Sequence, residues 1–368
     1  MQFQHQWSRR HFLAAAGAGM MLGPWAARAE EALEARVAGI VAASIGIDSH
    51  NHVDVPLAAA QLPGPDLDLA GELKRSGLTA ISMTFAVDYQ QLRNPGEAYE
   101  RFQNGLTAMD QQLARNGMRR ALNLADLRAA REHGQPTVIQ SVEGGHFLEG
   151  RVERLVGAYQ RGLRHLTLLH DNDATPPLGD VYTNPPRWGG LTALGAEVIR
   201  ECERLGILID LAHADVATTA AALKVATRPV LVSHTGLDSR LGDNPQMARM
   251  MRPRLISKEQ ARLVADAGGV IGVWTHLAET PLAYAENIKA LADVVGIDHV
   301  CIGTDTKLTR ATRPGEGSNQ AWKGQQAGFY YVVVDAMLKS GFTEADIAKV
   351  GGANFCRIFD RATTPRTA

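Results

Sequence analysis

Three observations predict a (β/α)8 TIM barrel. Eight short β-rich runs alternate with amphipathic stretches of helical period, the pattern of parallel βα units. Each run is apolar until its last two or three residues, where polar side chains gather. No Gly-x-Gly-x-x-Gly follows the first run, which counts against a dinucleotide-binding sheet and leaves an open doubly wound sheet as the second choice. The chain has 368 residues, and positions 30–368 are enough for one large barrel or two average domains. Gly and Pro are spread along it and no repeat or low-complexity tract appears, so a single domain over 30–368 with C-terminal helices is the expectation.

The first run is IGIDSH (45–50), continuing through Asn51 and His52 to Asp54. Side chains in a strand alternate between faces, so Asp48, His50, His52 and Asp54 should share one face. LTAISMTF (78–85), TVIQSVEG (137–144), RHLTLLHD (164–171) and ILIDLAHA (207–214) follow. PVLVSHTG (229–236), GVIGVWTH (269–276) and HVCIGTDT (299–306) complete the eight. Between the fourth and fifth, TALGAEVIRECERLG places Leu194, Val198, Ile199, Cys202 and Leu205 on one stripe of a helix. SKEQARLVADAGG opens with Ser257 and Glu259 and closes on a glycine pair, as a capped helix should.

At the N-terminus, SRRHFLAAAGAGMMLGPWAARA combines the twin arginines Arg9 and Arg10, a modest apolar run and Ala27-Arg28-Ala29. This reads as a twin-arginine export signal over residues 1–29, cleaved after Ala29, for a periplasmic or otherwise exported protein. The apolar run is shorter than the roughly 20 residues a membrane span needs, so no stable span is expected after cleavage. With 38 basic and 39 acidic residues and no block of like charge, neither a nucleic-acid surface nor a polybasic membrane patch is indicated. The partner should be a small molecule. Cys202, Cys301 and Cys356 are widely spaced with no Cys-x-x-Cys, and read as buried small hydrophobes.

Polar residues end six of the eight runs: His50 and His52, Glu143, His170, His213, His234 and Asp305. The C-terminal strand ends of a barrel converge on its active site. Any one of these residues alone would fit a satisfied core histidine or a capping aspartate; six strand ends together point to chemistry. Histidines with a carboxylate suit a borderline-soft divalent ion, zinc first, with manganese, cobalt or iron as alternatives. The ligands suffice for two ions. A carboxylate bridges with its two oxygens, so Glu143 between a His50/His52 pair and a His213/His234 pair gives each ion three protein ligands. Two cations acting on one water imply hydrolysis. Asp305 is then placed for proton transfer, His170 to orient substrate or stabilise an oxyanion, and Asp48 to fix the His50 ring from the outer shell. His146, His165, His276 and His299 read as structural or surface residues.

These stretches resemble the renal or membrane dipeptidases, metallopeptidase family M19 of the amidohydrolase-like barrels. The resemblance rests on IDSHNH, SVEGGH, LRHLTLLHDN, GLTALGAEVIRECERLGILIDLAH, VSHTG, RLISKEQARLVADAGGVIGV, IGTDT and GGANFCRIF, in the family's order from about residue 44 to 360. It implies a barrel of the metal-dependent hydrolase type, a binuclear zinc enzyme that cleaves dipeptides, often with a D-residue at the carboxyl side, and suggests a homodimer. By position, Glu143 looks like the bridging carboxylate, His50 like a ligand of the first metal, and His213 and His234 like ligands of the second. His170 is similar to the substrate-binding histidine, Asp305 to the acid/base, and Arg254 to the arginine that grips the dipeptide's carboxylate, a match for the guanidinium fork.

Two departures stand out. The family's first strand carries His-x-Asp, and His52 holds the place of that aspartate. An imidazole there removes one negative charge from the first metal, with Asp54 as the less favoured substitute ligand. The seventh run ends VWTH where a substrate-binding tyrosine is expected, so Trp274 or Thr275 should face the pocket. The alternative function is therefore hydrolysis of another amide bearing a free carboxylate, an N-acyl-D-amino acid, a lactam or a cyclic amide. A non-catalytic peptide or metal carrier is the third reading, disfavoured by the full set of proton-handling residues.

Overall fold

The computed structural model describes residues 28, 30–308 and 317–364. All of the expected export signal except position 28 lies outside them. Nine strands form one parallel sheet: β1 (Ile47–His52), β2 (Ala80–Thr84), β3 (Thr137–Glu143), β4 (Leu163–Thr167), β5 (Leu208–Asp210), β6 (Leu231–Thr235), β7 (Val270–Val273), β8 (Val300–Ile302) and β9 (Thr306–Lys307). Their order is β8-β7-β6-β5-β4-β3-β2-β1-β9. Because β8 pairs with β7 while β9 pairs with β1, and both belong to one short segment, the ring closes on itself. The eight expected runs are the eight staves, the last split where Gly303, Thr304 and Asp305 cross the seam.

Helices pack around this ring. They are α1 (30–43), α2 (Leu69–Ser76), α3 (Glu97–Arg115), α4 (Leu124–Glu132), α5 (Arg154–Gln160), α6 (Ala193–Leu205) and α7 (Val216–Val225). The second half supplies α8 (Pro245–Met251), α9 (Lys258–Asp266), α10 (Pro281–Val295), α11 (Phe329–Lys339), α12 (Glu344–Ala348) and α13 (Asn354–Thr363). The two helices read from sequence are α6 and α9. Thr192 accepts from the Gly195 N–H at the start of α6, and Gly206 ends it in the left-handed region. Ser257 accepts from the Gln260 N–H to open α9. No helix among the described residues is long and apolar enough to cross a membrane. The three cysteines are buried and free.

Alternation along 48–54 holds only in part. The register of β1 against β2 shifts between Asp48 and Asn51, a bulge. His50 and His52 turn together into the mouth, their ring centroids 4.9 Å apart, whereas Asp48 turns away. Asp48 accepts from the backbone N–H groups of His50 and Thr304, the Asn51 amide and the Thr304 hydroxyl. It thus clamps the bulge to the seam and does not fix the His50 ring, which instead lies 3.3 Å from the Ser233 hydroxyl through Nδ1. Asp54 pairs with Lys307 on the surface and takes no place in the mouth. Inside the barrel β6 comes so close to this segment that a Cβ on Gly303 would collide with the Ser233 carbonyl oxygen.

One buried carboxylate organises the opposite wall. Asp210, at the end of β5, accepts from His165 Nε2, the Thr167 hydroxyl and the backbone N–H groups of Ala212 and Ser233. Burial alone would raise its pKa; the His165 hydrogen bond and charge, with the others, hold it well below the usual carboxylate range. Asp210→Ala leaves His165 Nε2, the Thr167 hydroxyl and two N–H groups unpaired and should cost about 3–5 kcal/mol. In the native chain this contribution is complete above about pH 4 and is lost as pH falls. Chemical denaturation of the variant against pH checks both; an unchanged midpoint at neutral pH would remove the role.

Candidate active site

The cluster lies at the C-terminal mouth of the barrel. Glu143, the last residue of β3, is 1% exposed and stands at the centre. His213 Nε2 is 2.8 Å and His50 Nε2 3.3 Å from its Oε1. His170 Nε2 is 3.4 Å and His52 Nε2 3.7 Å from its Oε2. His234 Nε2 lies 3.7 Å from Oε1 and 3.0 Å from His213 Nε2. Asp305 closes the ring, with Oδ1 3.1 Å from His52 Nε2 and 3.9 Å from His50 Nε2.

All seven mouth residues named from sequence converge, then, and three groups of them have ligand atoms within 4.8 Å of one another: His50/His52/Glu143, Glu143/His170/His213 and His50/His234/Asp305. The first is the expected pairing; His213 is grouped with His170, and His234 with His50 and Asp305. His50 Nε2 and Glu143 Oε2 are buried with no hydrogen-bond partner, an expensive arrangement unless a cation is held there. The donor set fits a divalent ion of the zinc class.

Electrostatics separate the members. Burial opposes ionisation of Glu143, yet the charges of His170 and His50 and the His213 hydrogen bond hold its pKa well below the usual range. Asp305 is lowered likewise against its burial, by His234 and by hydrogen bonds from His276 and His52. Burial pulls His213 down, but hydrogen bonds to Asp171 and Glu143 push it up to about 10. For His234, burial and the nearby His50 together push it down to about 3. His213 and Asp305 both adopt left-handed backbone, φ 67° and 54°, the kind of strain that clusters at functional sites.

Loops supply residues that strand-end reasoning missed. Asp88, buried after β2, accepts from His170 Nδ1 at 2.6 Å and from the Asn172 amide. Tyr89 reaches His52 Nδ1 with its hydroxyl at 2.9 Å. Asp171 spans two roles, with Oδ1 3.1 Å from His213 Nδ1 and Oδ2 accepting from Arg254 at 2.6 Å. Tyr182 sits in the Pro- and Gly-rich excursion after β4, and its hydroxyl lies 2.7 Å from His213 Nδ1. That excursion borders the mouth, tied down by Asp180, which accepts from the backbone N–H groups of Arg187, Trp188 and Gly190. Arg254, from the turn after α8, sits at the edge of the cluster.

The end of β7 corrects the sequence reading. Trp274 is buried, and Thr275 donates to the Thr304 carbonyl. His276 instead turns to the mouth, with Nε2 2.9 Å from Asp305 Oδ2. The last residue of that run behaves like the last polar residue of the others, a signal the sequence did contain. His165 and His299 are structural, on Asp210 and the Gly269 carbonyl. His146 is buried against the Asn172 carbonyl.

A closed parallel barrel with a buried carboxylate inside a ring of imidazoles is a scaffold that could hold divalent metal at its mouth. The chain belongs to the membrane dipeptidase family, peptidase family M19, whose model matches residues 34–367. It is 27% identical over 227 residues to dipeptidase 3 of Mus musculus, 59% of this chain and 43% of that protein. The chain spans about half the length of the curated relatives it matches. Among solved structures it is similar to an amidohydrolase from Pseudomonas aeruginosa, with 23% identity, a TM-score of 0.72, and coverage of 89% of this chain and 99% of that one. It is also similar to a metallopeptidase from Rhodobacter sphaeroides liganded with a phosphinate mimic of the dipeptide L-Ala-D-Ala, with 17% identity, a TM-score of 0.64, and coverage of 87% and 99%.

Proposed function

We propose that this chain is an exported metallo-dipeptidase that hydrolyses the peptide bond of dipeptides, including those with a D-residue at the carboxyl side. The observation that carries the reading is Glu143, buried with each oxygen facing imidazole nitrogens from different staves. It would bridge two divalent ions, zinc first, held further by His50 and His52 on one side and by His213 and His234 on the other. When bound, such ions polarise the scissile carbonyl and activate water for attack. Family membership supports this, as does the dipeptide mimic seen in the Rhodobacter sphaeroides relative.

The chain's own residues do the rest. Asp305, held by His52 on one oxygen and His276 on the other, accepts the proton that water loses and returns it to the departing amine. His170, fixed through Nδ1 by Asp88, keeps Nε2 directed at the mouth, where it steadies the developing oxyanion. Arg254 binds the substrate's free carboxylate, a group for which Asp171 stands in at 2.6 Å. Asp171 and Tyr182 both reach the outer nitrogen of His213 and so orient its Nε2 inward.

Metal content by mass spectrometry, paired with hydrolysis of L,L-dipeptides, L,D-dipeptides and N-acyl-D-amino acids, tests the reading. Two zinc ions per chain with dipeptide cleavage is the expected result. Two ions with cleavage of the N-acyl-D-amino acids alone would transfer the function to those substrates, and no bound ion would overturn the assignment of His50 and His52. Arg254→Ala should raise KM for substrates with a free carboxylate by about 10- to 100-fold and leave kcat within a fewfold. An equal effect on amidated dipeptides would remove Arg254 from substrate binding.

A further inference from the structure

Two cavities of unequal size flank the cluster. One, of about 280 Å³, lies on the β5–β6 side and has His213, His234, Tyr182 and Arg254 on its walls. The other, of about 900 Å³, lies on the β2–β4 side, between the loop bearing Asp88 and Tyr89 and the segment from His146 to Arg154. The larger cavity adjoins the reacting centre. Its wall residue Asp88 holds His170, and Tyr89 stands edge-on to the His170 ring at 5.5 Å while its hydroxyl reaches His52.

The larger cavity is lined by three arginines, Arg93, Arg151 and Arg154, and by three carboxylates. Its three carboxylates are already paired: Asp88 with His170 and Asn172, Glu149 with Arg154 and the Gly96 N–H, and Asp173 with Arg187. Arg154 is further held by the Phe147 and Leu148 carbonyls and lies over the Tyr99 ring. Burial lowers the pKa of His146, so it adds no charge of its own. Arg93 and Arg151 line the same cavity, both exposed, and neither has an acidic partner among the described residues. These two guanidinium groups are the ones on the lining that no carboxylate among the described residues engages.

We propose, on the dipeptidase reading above, that the larger cavity receives the side chain of the substrate's amino-side residue and selects an acidic one. Arg254 pins the free carboxylate beside the smaller cavity. With the scissile carbonyl at Glu143, the amino-side residue has the opposite side of the mouth to enter. A carboxylate there meets the forked donors of Arg93 and Arg151, and a neutral amide of the same shape does not.

The test compares kcat/KM of the metal-loaded enzyme for Glu-Ala, Gln-Ala, Ala-Glu and Ala-Ala, with alanine of either hand at the carboxyl side. Glu-Ala should exceed both its amide analogue Gln-Ala and its sequence isomer Ala-Glu by about tenfold or more. In the Arg93→Gln/Arg151→Gln double variant that advantage over Gln-Ala should disappear, with Gln-Ala and Ala-Ala cleaved as before. Equal rates for Glu-Ala and Gln-Ala, or for Glu-Ala and Ala-Glu, would overturn the proposal while Ala-Ala cleavage upheld the dipeptidase reading. Failure to cleave any of the four would overturn both.

Discussion

Glu143→Gln should lose at least one metal ion per chain and nearly all hydrolysis, a fall of about a thousandfold or more in kcat/KM. The substitution keeps the size of the side chain and removes only its charge and one acceptor oxygen. Each oxygen faces two imidazole nitrogens, Oε1 those of His213 and His50 and Oε2 those of His170 and His52, so an amide turns its NH2 toward one pair whichever way it is placed. Mass spectrometry and steady-state kinetics on the same preparation read the two effects together. A variant with two ions and full activity would sink the bridged arrangement.

Asp305→Asn should leave two ions in place and lower kcat by about 10²- to 10⁴-fold, the usual range for a lost general acid–base group. Asparagine keeps the size of the side chain, still accepts from one of His52 and His276 while its amide N–H faces the other, and can tolerate left-handed backbone, so the fold should survive. The charge, and with it the ability to take and return a proton, is what disappears. Loss of an ion along with the rate would instead make Asp305 a ligand, grouped with His50 and His234. A kcat within a fewfold of native would leave the proton work to another group.

Much of this architecture was legible because two periodicities carry it. Apolar runs of strand length alternating with helical stripes give eight staves, and a barrel's geometry brings strand ends to one mouth whatever their distance along the chain. That is why His50, His52, Glu143, His170, His213, His234 and Asp305 could be named together. The bulge at Ser49 and His50 could not be read, because a one-residue slip leaves no mark in composition, and it reassigned Asp48 from the His50 ring to the seam. Asp88 and Tyr182 escaped notice because loops deliver them, and loop paths follow tertiary packing more than local pattern, whereas Asp171 ends the fourth run beside His170 and was passed over in its favour. The dipeptidase resemblance supplied Arg254, which composition alone leaves as one arginine among many.

The split eighth stave has a consequence for how the site comes into being. The hydrogen bond from the Leu308 N–H to the Asn51 side chain joins residues 257 positions apart, and the pairing of β9 with β1 spans nearly the same separation. Contacts of such long range carry the largest loop-closure cost and tend to slow folding. Asp305 lies in that very segment, and its N–H donates to the His50 carbonyl. Closing the ring and delivering the proton-handling carboxylate to its histidines are therefore one event. A chain still open at this joint has no competent active site, however much helix it has formed, so recovery of activity during refolding should lag recovery of helical signal and coincide with the final closure.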